Sequence, residues 1–215
     1  MNKHESSLQK PILRGHFHQS AFFYSLGICT LLVLQTTNQK AAISALIYSI
    51  SLCGLFGISA LYHRPQWGQK ARQWLRRIDH AAIYILIAGS ATPICLMALP
   101  PEIGQKILLM IWPASCLGIF QSLFWIRAPK WVATIFYMMV GFSVVPYLPE
   151  LYNALGLTKV VLILTGGLFY TVGALIYAFK FPNPSPKYFG YHEIFHILVI
   201  IAAAFHFYVI FGLVI

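Results

Sequence analysis

Two histidines four residues apart, His192 and His196, stand at the start of the last apolar run of this chain. In a helix that spacing puts both imidazoles on one face. It is a metal-binding arrangement, and imidazole is the commonest zinc ligand. A catalytic zinc takes three protein ligands and keeps one position for water. His63 closes the second apolar run, in Ser59-Ala60-Leu61-Tyr62-His63, and is the natural third ligand. Ser59 lies one turn before His63 on the same face, and Asp79 opens the third run. Asp79 is placed to hold the water or to orient a ligand histidine. Zinc lowers the pKa of such a water to about 7 and polarises a carbonyl, so the chemistry within reach is hydrolysis. Asp79 would accept the proton of the water, and Ser59 would steady the water or an oxyanion.

The other polar groups divide between chemistry and structure. His192-Glu193-Ile194-Phe195-His196 fits the HExxH pattern of zinc proteases, in which the glutamate is the base. Glu193 sits about 100° around the helix from His192, so it need not face the metal. Its other readings are a surface residue or a helix cap. His206 falls about 15 Å deeper along the same helix, too far to bind the same ion. It is read as lining a cavity or bonding between helices. His80 points away from Asp79 and is read as packing. His4, His16 and His18 sit in an N-terminal juxtamembrane segment and carry no strong signal. Cys29, Cys53, Cys95 and Cys116 all lie in apolar runs without ligand spacing and read as small buried hydrophobes. Pro93, after Gly89, Ser90 and Thr92, predicts a kink where small residues allow close packing.

The elements that position these groups follow from composition. The chain has 215 residues, 59% hydrophobic and 9% charged, with mean hydropathy +0.71. Soluble domains carry about 25% charged residues, so this surface must meet lipid. Lipid admits only helices or closed barrels, and the long unalternating runs exclude a barrel. Seven runs of roughly 18–23 residues are long enough to cross a hydrocarbon core. They fall near 20–37, 41–62, 80–98, 105–125, 131–148, 158–180 and 190–213. The predicted fold is an all-α bundle of seven transmembrane helices: a cytoplasmic segment 1–19, then one membrane domain over 20–215. The first run is too long for a signal-peptide core and lacks a clean cleavage site, so it reads as a retained helix.

The net charge of +10 is distributed as a membrane protein's, not as a nucleic-acid binder's. Of 15 lysines and arginines, all but Lys40, Lys106 and Lys159 fall on one side of the predicted spans. These are Lys3, Lys10 and Arg14, then Arg64, Lys70, Arg72, Arg76 and Arg77, then Arg127 and Lys130, then Lys180 and Lys187. The positive-inside rule puts the N-terminus in the cytoplasm and the C-terminus outside, in a plasma or inner membrane. His63, Asp79, His192 and His196 then share the cytoplasmic end, although the topology came from Lys and Arg alone. Between spans two and three, Trp67 and Trp74 are seven residues apart among basic residues. Two readings stay open here: a short helix lying on anionic lipid headgroups, or a plain loop.

Three segments carry a family resemblance: Ser59–His63 (SALYH), Asp79–Pro93 (DHAAIYILIAGSATP) and His192–His196 (HEIFH). In this order they resemble the hemolysin III proteins, the bacterial branch of the progestin and adipoQ receptor family. More distantly they are similar to the superfamily that includes alkaline ceramidases. The resemblance implies seven helices with the N-terminus inside and a zinc ion near the cytoplasmic face. It implies His63, His192 and His196 as zinc ligands, with Ser59 and Asp79 around the water. One stretch departs: where bacterial members often carry Glu and Asn and then a Ser/Thr-His pair, this chain has Lys10-Pro-Ile-Leu-Arg14-Gly-His-Phe-His18, and only His18 keeps its place.

Three functions compete. The first is a zinc-dependent hydrolase of a lipid amide or ester, with the lipid or fatty-acyl chain inside the bundle. The second is a receptor or sensor in which zinc is a structural staple. The third is the pore of the family name; a pore needs a polar stripe across the membrane, and these polar groups cluster at one end. A retinal pump is excluded because the last run has no lysine. The topology is tested with reporter fusions: one at the C-terminus is expected to be active outside the cytoplasm, and one between Arg64 and Asp79 inside. Two cytoplasmic signals would contradict it.

Overall fold

The computed structural model describes residues 10–125 and 128–215. Lys3, His4 and Arg127 of the sequence reading lie outside the described residues. Among those described there are seven α-helices: α1 His16–Leu34, α2 Gln39–His63, α3 Gln69–Met97, α4 Pro101–Phe124, α5 Lys130–Phe142, α6 Leu148–Phe179 and α7 Tyr191–Val214. A 3-10 turn, Val145–Tyr147, joins α5 to α6. Local chemistry sets several starts. Asn38 caps α2 by accepting from the Ala41 amide at 2.9 Å. Pro101 opens α4, where its missing N–H costs nothing.

Besides the earlier start of α1, two further boundaries differ from the sequence reading. The third span was expected from residue 80, but α3 starts at Gln69 without interruption. No glycine or proline stands between Gln69 and Ile87 to break it, so the segment holding Trp74 continues the span instead of forming a separate helix in the membrane plane. At 29 residues α3 is about 43 Å long, longer than the roughly 30 Å hydrocarbon core. The second difference concerns spans five and six. Among the described residues, six stretches are long and apolar enough to cross a membrane, because Lys130–Phe179 forms one run of 50 residues. The expected loop between them is itself largely helical. Pro149 suits the first turn of α6, and the only non-helical residue inside α6 is Gly156, at φ 74° and ψ 168°.

The packing is that of a protein in lipid. Leu34, Leu109 and Phe179 are each about three-quarters exposed, while Ala41, Ala45, Ser44, Ala88 and Ala202 are fully enclosed. Small side chains line helix contacts and large apolar ones face outward, as expected where lipid tails are as apolar as leucine. Helix α7 touches α1, α2 and α3, so the end of α2 and the start of α7 meet. Gly118 of α4 lies directly against the ring of Tyr84 of α3, which is wholly buried. Replacing Gly118 with leucine overpacks this contact and is expected to cost about 1–3 kcal/mol, read as a lower Tm in detergent. Gly27→Leu, with nothing within 4 Å of the new Cβ, should leave Tm unchanged.

Candidate metal centre

His63 is the last residue of α2, and His192 and His196 stand in the first turns of α7. The contact between these two helix ends brings one ring nitrogen from each histidine within 4.8 Å of the others. All three are buried, at 7%, 8% and 1% exposure. His63 Nε2 and His192 Nε2 face each other at 3.1 Å. Tetrahedral zinc with Zn–N near 2.0–2.1 Å would hold its ligand nitrogens roughly 3.3 Å apart, close to this separation. His196 Nδ1 is enclosed with no hydrogen-bond partner among the described residues. Three buried imidazoles with converging nitrogens suit a cation, which several lone pairs can share at once. The donor set therefore fits a metal ion.

Asp79 of α3 reaches the same place: its Oδ2 lies 3.8 Å from His63 Nε2. The three-histidine cluster does not include it. Asp79 and Ser59 both line a cavity of about 220 Å³ that also touches His192 and His196. The cavity wall is mainly apolar, with Leu55, Ile83, Ile87 and Val199, and reaches Leu99 and Ile107 toward the far end of the bundle. Ser59 Oγ is hydrogen-bonded to His18 Nδ1 at 2.8 Å.

The remaining groups find structural partners. Glu193 is fully buried, yet both carboxylate oxygens are used. One accepts from the Gly190 amide at 2.8 Å, capping α7, and the other forms an ion pair with Arg14. The capping alternative therefore holds, and Glu193 is not free to act as a protease-like base. His206 Nε2 meets the Ile163 carbonyl of α6 at 3.1 Å, an interhelical bond as expected. His80 packs edge-on to Tyr177, with the Tyr177 hydroxyl 3.5 Å from its Nε2. The four cysteines are free and none joins the histidine cluster.

The N-terminal segment is the part that sequence reasoning missed. Residues 10–15 lie over the site. Ile12 and Leu13 donate backbone bonds to the Lys187 and Tyr188 carbonyls at 3.0 and 3.2 Å. Gly15, at φ +81°, lets the chain pass His63 where an added Cβ would come within 2.7 Å of the His63 Cβ. Outside the helices, partial burial and then the charges of Arg14, Arg72 and Arg64 hold the Lys10 amine below its ordinary pKa. Because α1 begins at His16 and not near residue 20, His18 lies inside the bundle, 2% exposed, with its ring stacked on His196. A signal existed for Arg14: a glutamate in an apolar helix needs a cation, and few are near enough.

A sequence profile described as "Haemolysin-III related" matches residues 6–207. The chain belongs to the haemolysin-III-related family. It is a multi-pass membrane protein. It is 27% identical over 197 residues to the hemolysin-3 homolog of Bacillus subtilis (strain 168), covering 90% of this chain and 89% of that one. It is 26% identical over 211 residues to hemolysin-3 of Bacillus cereus, covering 97% and 93%. It is 31% identical over 176 residues to the monocyte to macrophage differentiation factor of Homo sapiens, covering 78% and 69%. The match begins before Arg14 and His18, so it takes in the N-terminal segment that lies over the histidines.

Truncating one partner of a buried ion pair leaves the other charge uncompensated, at a cost of about 3–5 kcal/mol. Arg14→Met is therefore expected to lower Tm strongly. Arg14→Met combined with Glu193→Gln should recover much of the loss, because no buried charge is then left alone. Equal Tm for the two variants would show that the pair contributes nothing through its charges.

Proposed function

We propose that this protein is a zinc-binding membrane hydrolase that cleaves a lipid amide or ester at the cytoplasmic end of seven transmembrane helices. The observation that carries it is the buried three-histidine cluster opening on an apolar cavity, with a carboxylate and a hydroxyl at the same end. Seven crossings are supported by the length of Lys130–Phe179: an unbroken helix of 50 residues would span about 75 Å, more than twice the hydrocarbon core, so the run turns back within it. The non-helical Gly156 is where it can. The cytoplasmic assignment rests on the basic residues around this end. They also supply contacts for anionic headgroups.

Zinc held by His63, His192 and His196 would supply a Lewis acid and an acidified water. The acyl chain lies along the apolar wall from Ile83 toward Leu99, which sets the scissile carbonyl at the histidine end. Asp79 Oδ2 accepts the proton from the attacking water and returns it to the leaving amine or alkoxide, so the carboxylate is regenerated. Ser59 Oγ lies on the same wall and hydrogen-bonds the water or the developing oxyanion. The apolar cavity keeps bulk water from competing.

The second reading, a receptor with zinc as a staple, is favoured by one feature. The three histidines join α2 to α7, two helices far apart in sequence. The two readings separate at Asp79. Purified protein should contain about one zinc per chain, as a three-histidine site requires. The His192→Ala/His196→Ala double variant should lose it and melt earlier, since metal bound only by the folded state stabilises that state. Asp79→Ala should keep zinc and lose hydrolysis of lipid amides and esters. Loss of zinc in Asp79→Ala would make Asp79 a fourth ligand and the site a closed staple.

A further inference from the structure

His18 has no part in the chemistry above, yet it is built into the site. It is the only histidine of α1 that reaches the cluster among the described residues: its ring lies on the His196 ring at 3.8 Å between centroids and 10° between planes. Phe56 of α2 holds it from another side, tilted 59° at 5.1 Å. Its Nδ1 is bonded to Ser59 Oγ at 2.8 Å. One imidazole from α1 thus touches a metal-site histidine on α7 and a hydroxyl on α2.

The contact matters because of how a histidine ring turns. Its χ2 well is broad and roughly two-fold, so only surroundings fix which way the ring edge points. Metal-binding histidines are usually fixed by a hydrogen bond at the second ring nitrogen. No side-chain hydrogen bond among the described residues reaches either nitrogen of the His196 ring, so whichever one faces the cluster, the other lacks that support. A parallel ring against its face restrains rotation in its place. We propose that His18 is a positioning residue: its ring sets the plane of His196, and its Nδ1 sets the direction of the Ser59 hydroxyl. The proposal rests on the metal reading of the histidine cluster.

A Ser–His pair at 2.8 Å also suggests a nucleophile and its base. The geometry points against this. As a base His18 would become an imidazolium with Nε2 enclosed and unpartnered, lying against a ring of the metal-binding set. Such pairs work when a third group steadies the base, and His18 Nε2 has none among the described residues.

The test uses the whole protein in detergent, stripped of metal and titrated with cobalt(II), whose visible absorption reports ligand geometry. His18→Asn keeps a hydrogen-bonding group for Ser59 but removes the ring. It should bind cobalt roughly 10- to 100-fold more weakly, the range typical for loss of a ligand's support, with an altered spectrum. His18→Phe keeps a ring for the stack and should retain the wild-type affinity and spectrum. For the hydroxyl, His18→Phe and Ser59→Ala should not add: the double variant should melt no lower than the worse single one. His18→Asn with wild-type affinity and spectrum would overturn the stacking role. If that variant does not fold, a changed spectrum in His18→Phe would overturn it instead. Additive melting shifts would overturn the link to Ser59. Wild-type protein that takes up no cobalt would overturn the metal centre itself, and this proposal with it.

Discussion

A fully buried carboxylate in an apolar helix must be neutralised where it sits, and Glu193 is neutralised by Arg14. The rest of the site is arranged around that ion pair. With one oxygen Glu193 closes the first turn of α7, which fixes where His192 and His196 begin. With the other it draws the N-terminal segment across the bundle end, where Gly15 lets the chain pass His63 without a Cβ in the way. Burying two charges is expensive in itself, so the pair is weak evidence for stability. Its value lies in geometry, because it holds the N-terminal segment against the start of α7.

Close helix packing does the remaining positioning. Lipid gives no hydrophobic reward for bringing helices together, so approach depends on small residues and interhelical bonds. Gly118 against Tyr84, and Gly166 against the His206 ring bonded to the Ile163 carbonyl, are two such contacts. They leave α7 in contact with α1, α2 and α3. The helix with the paired histidines also packs along α6. The cavity lies alongside it, with the histidine cluster at one end and a mainly apolar wall.

The chain belongs to the haemolysin-III-related family. The relatives in Bacillus carry a name that denotes lysis, and a human relative carries one that denotes cell differentiation. Neither name describes a buried histidine cluster. The geometry of the site carries information that the relatives' names do not.

Much of this was legible in the residues alone. The apolar runs located the spans because a 30 Å hydrocarbon layer leaves few alternatives. His63, Asp79, His192 and His196 stood out because ionisable groups are costly there, and periodicity put two histidines on one face. The sequence could not show that α3 runs unbroken from Gln69, since a basic amphipathic segment reads alike as a surface helix or as the end of a span. Nor could it show that the loop between spans five and six is largely helical, since Pro149 suits a helix start as well as a turn. Glu193 had several readings until Arg14 was beside it. His18 kept its place in the family pattern but gave no strong signal of a role, because its surroundings are rings on α2 and α7 that are about 40 and 180 positions away in the chain. Periodicity and charge are local properties, and the sequence determined what depends on them. Which imidazole lies on which, and which cation meets Glu193, depend on how helices cross, and only the tertiary structure decided that.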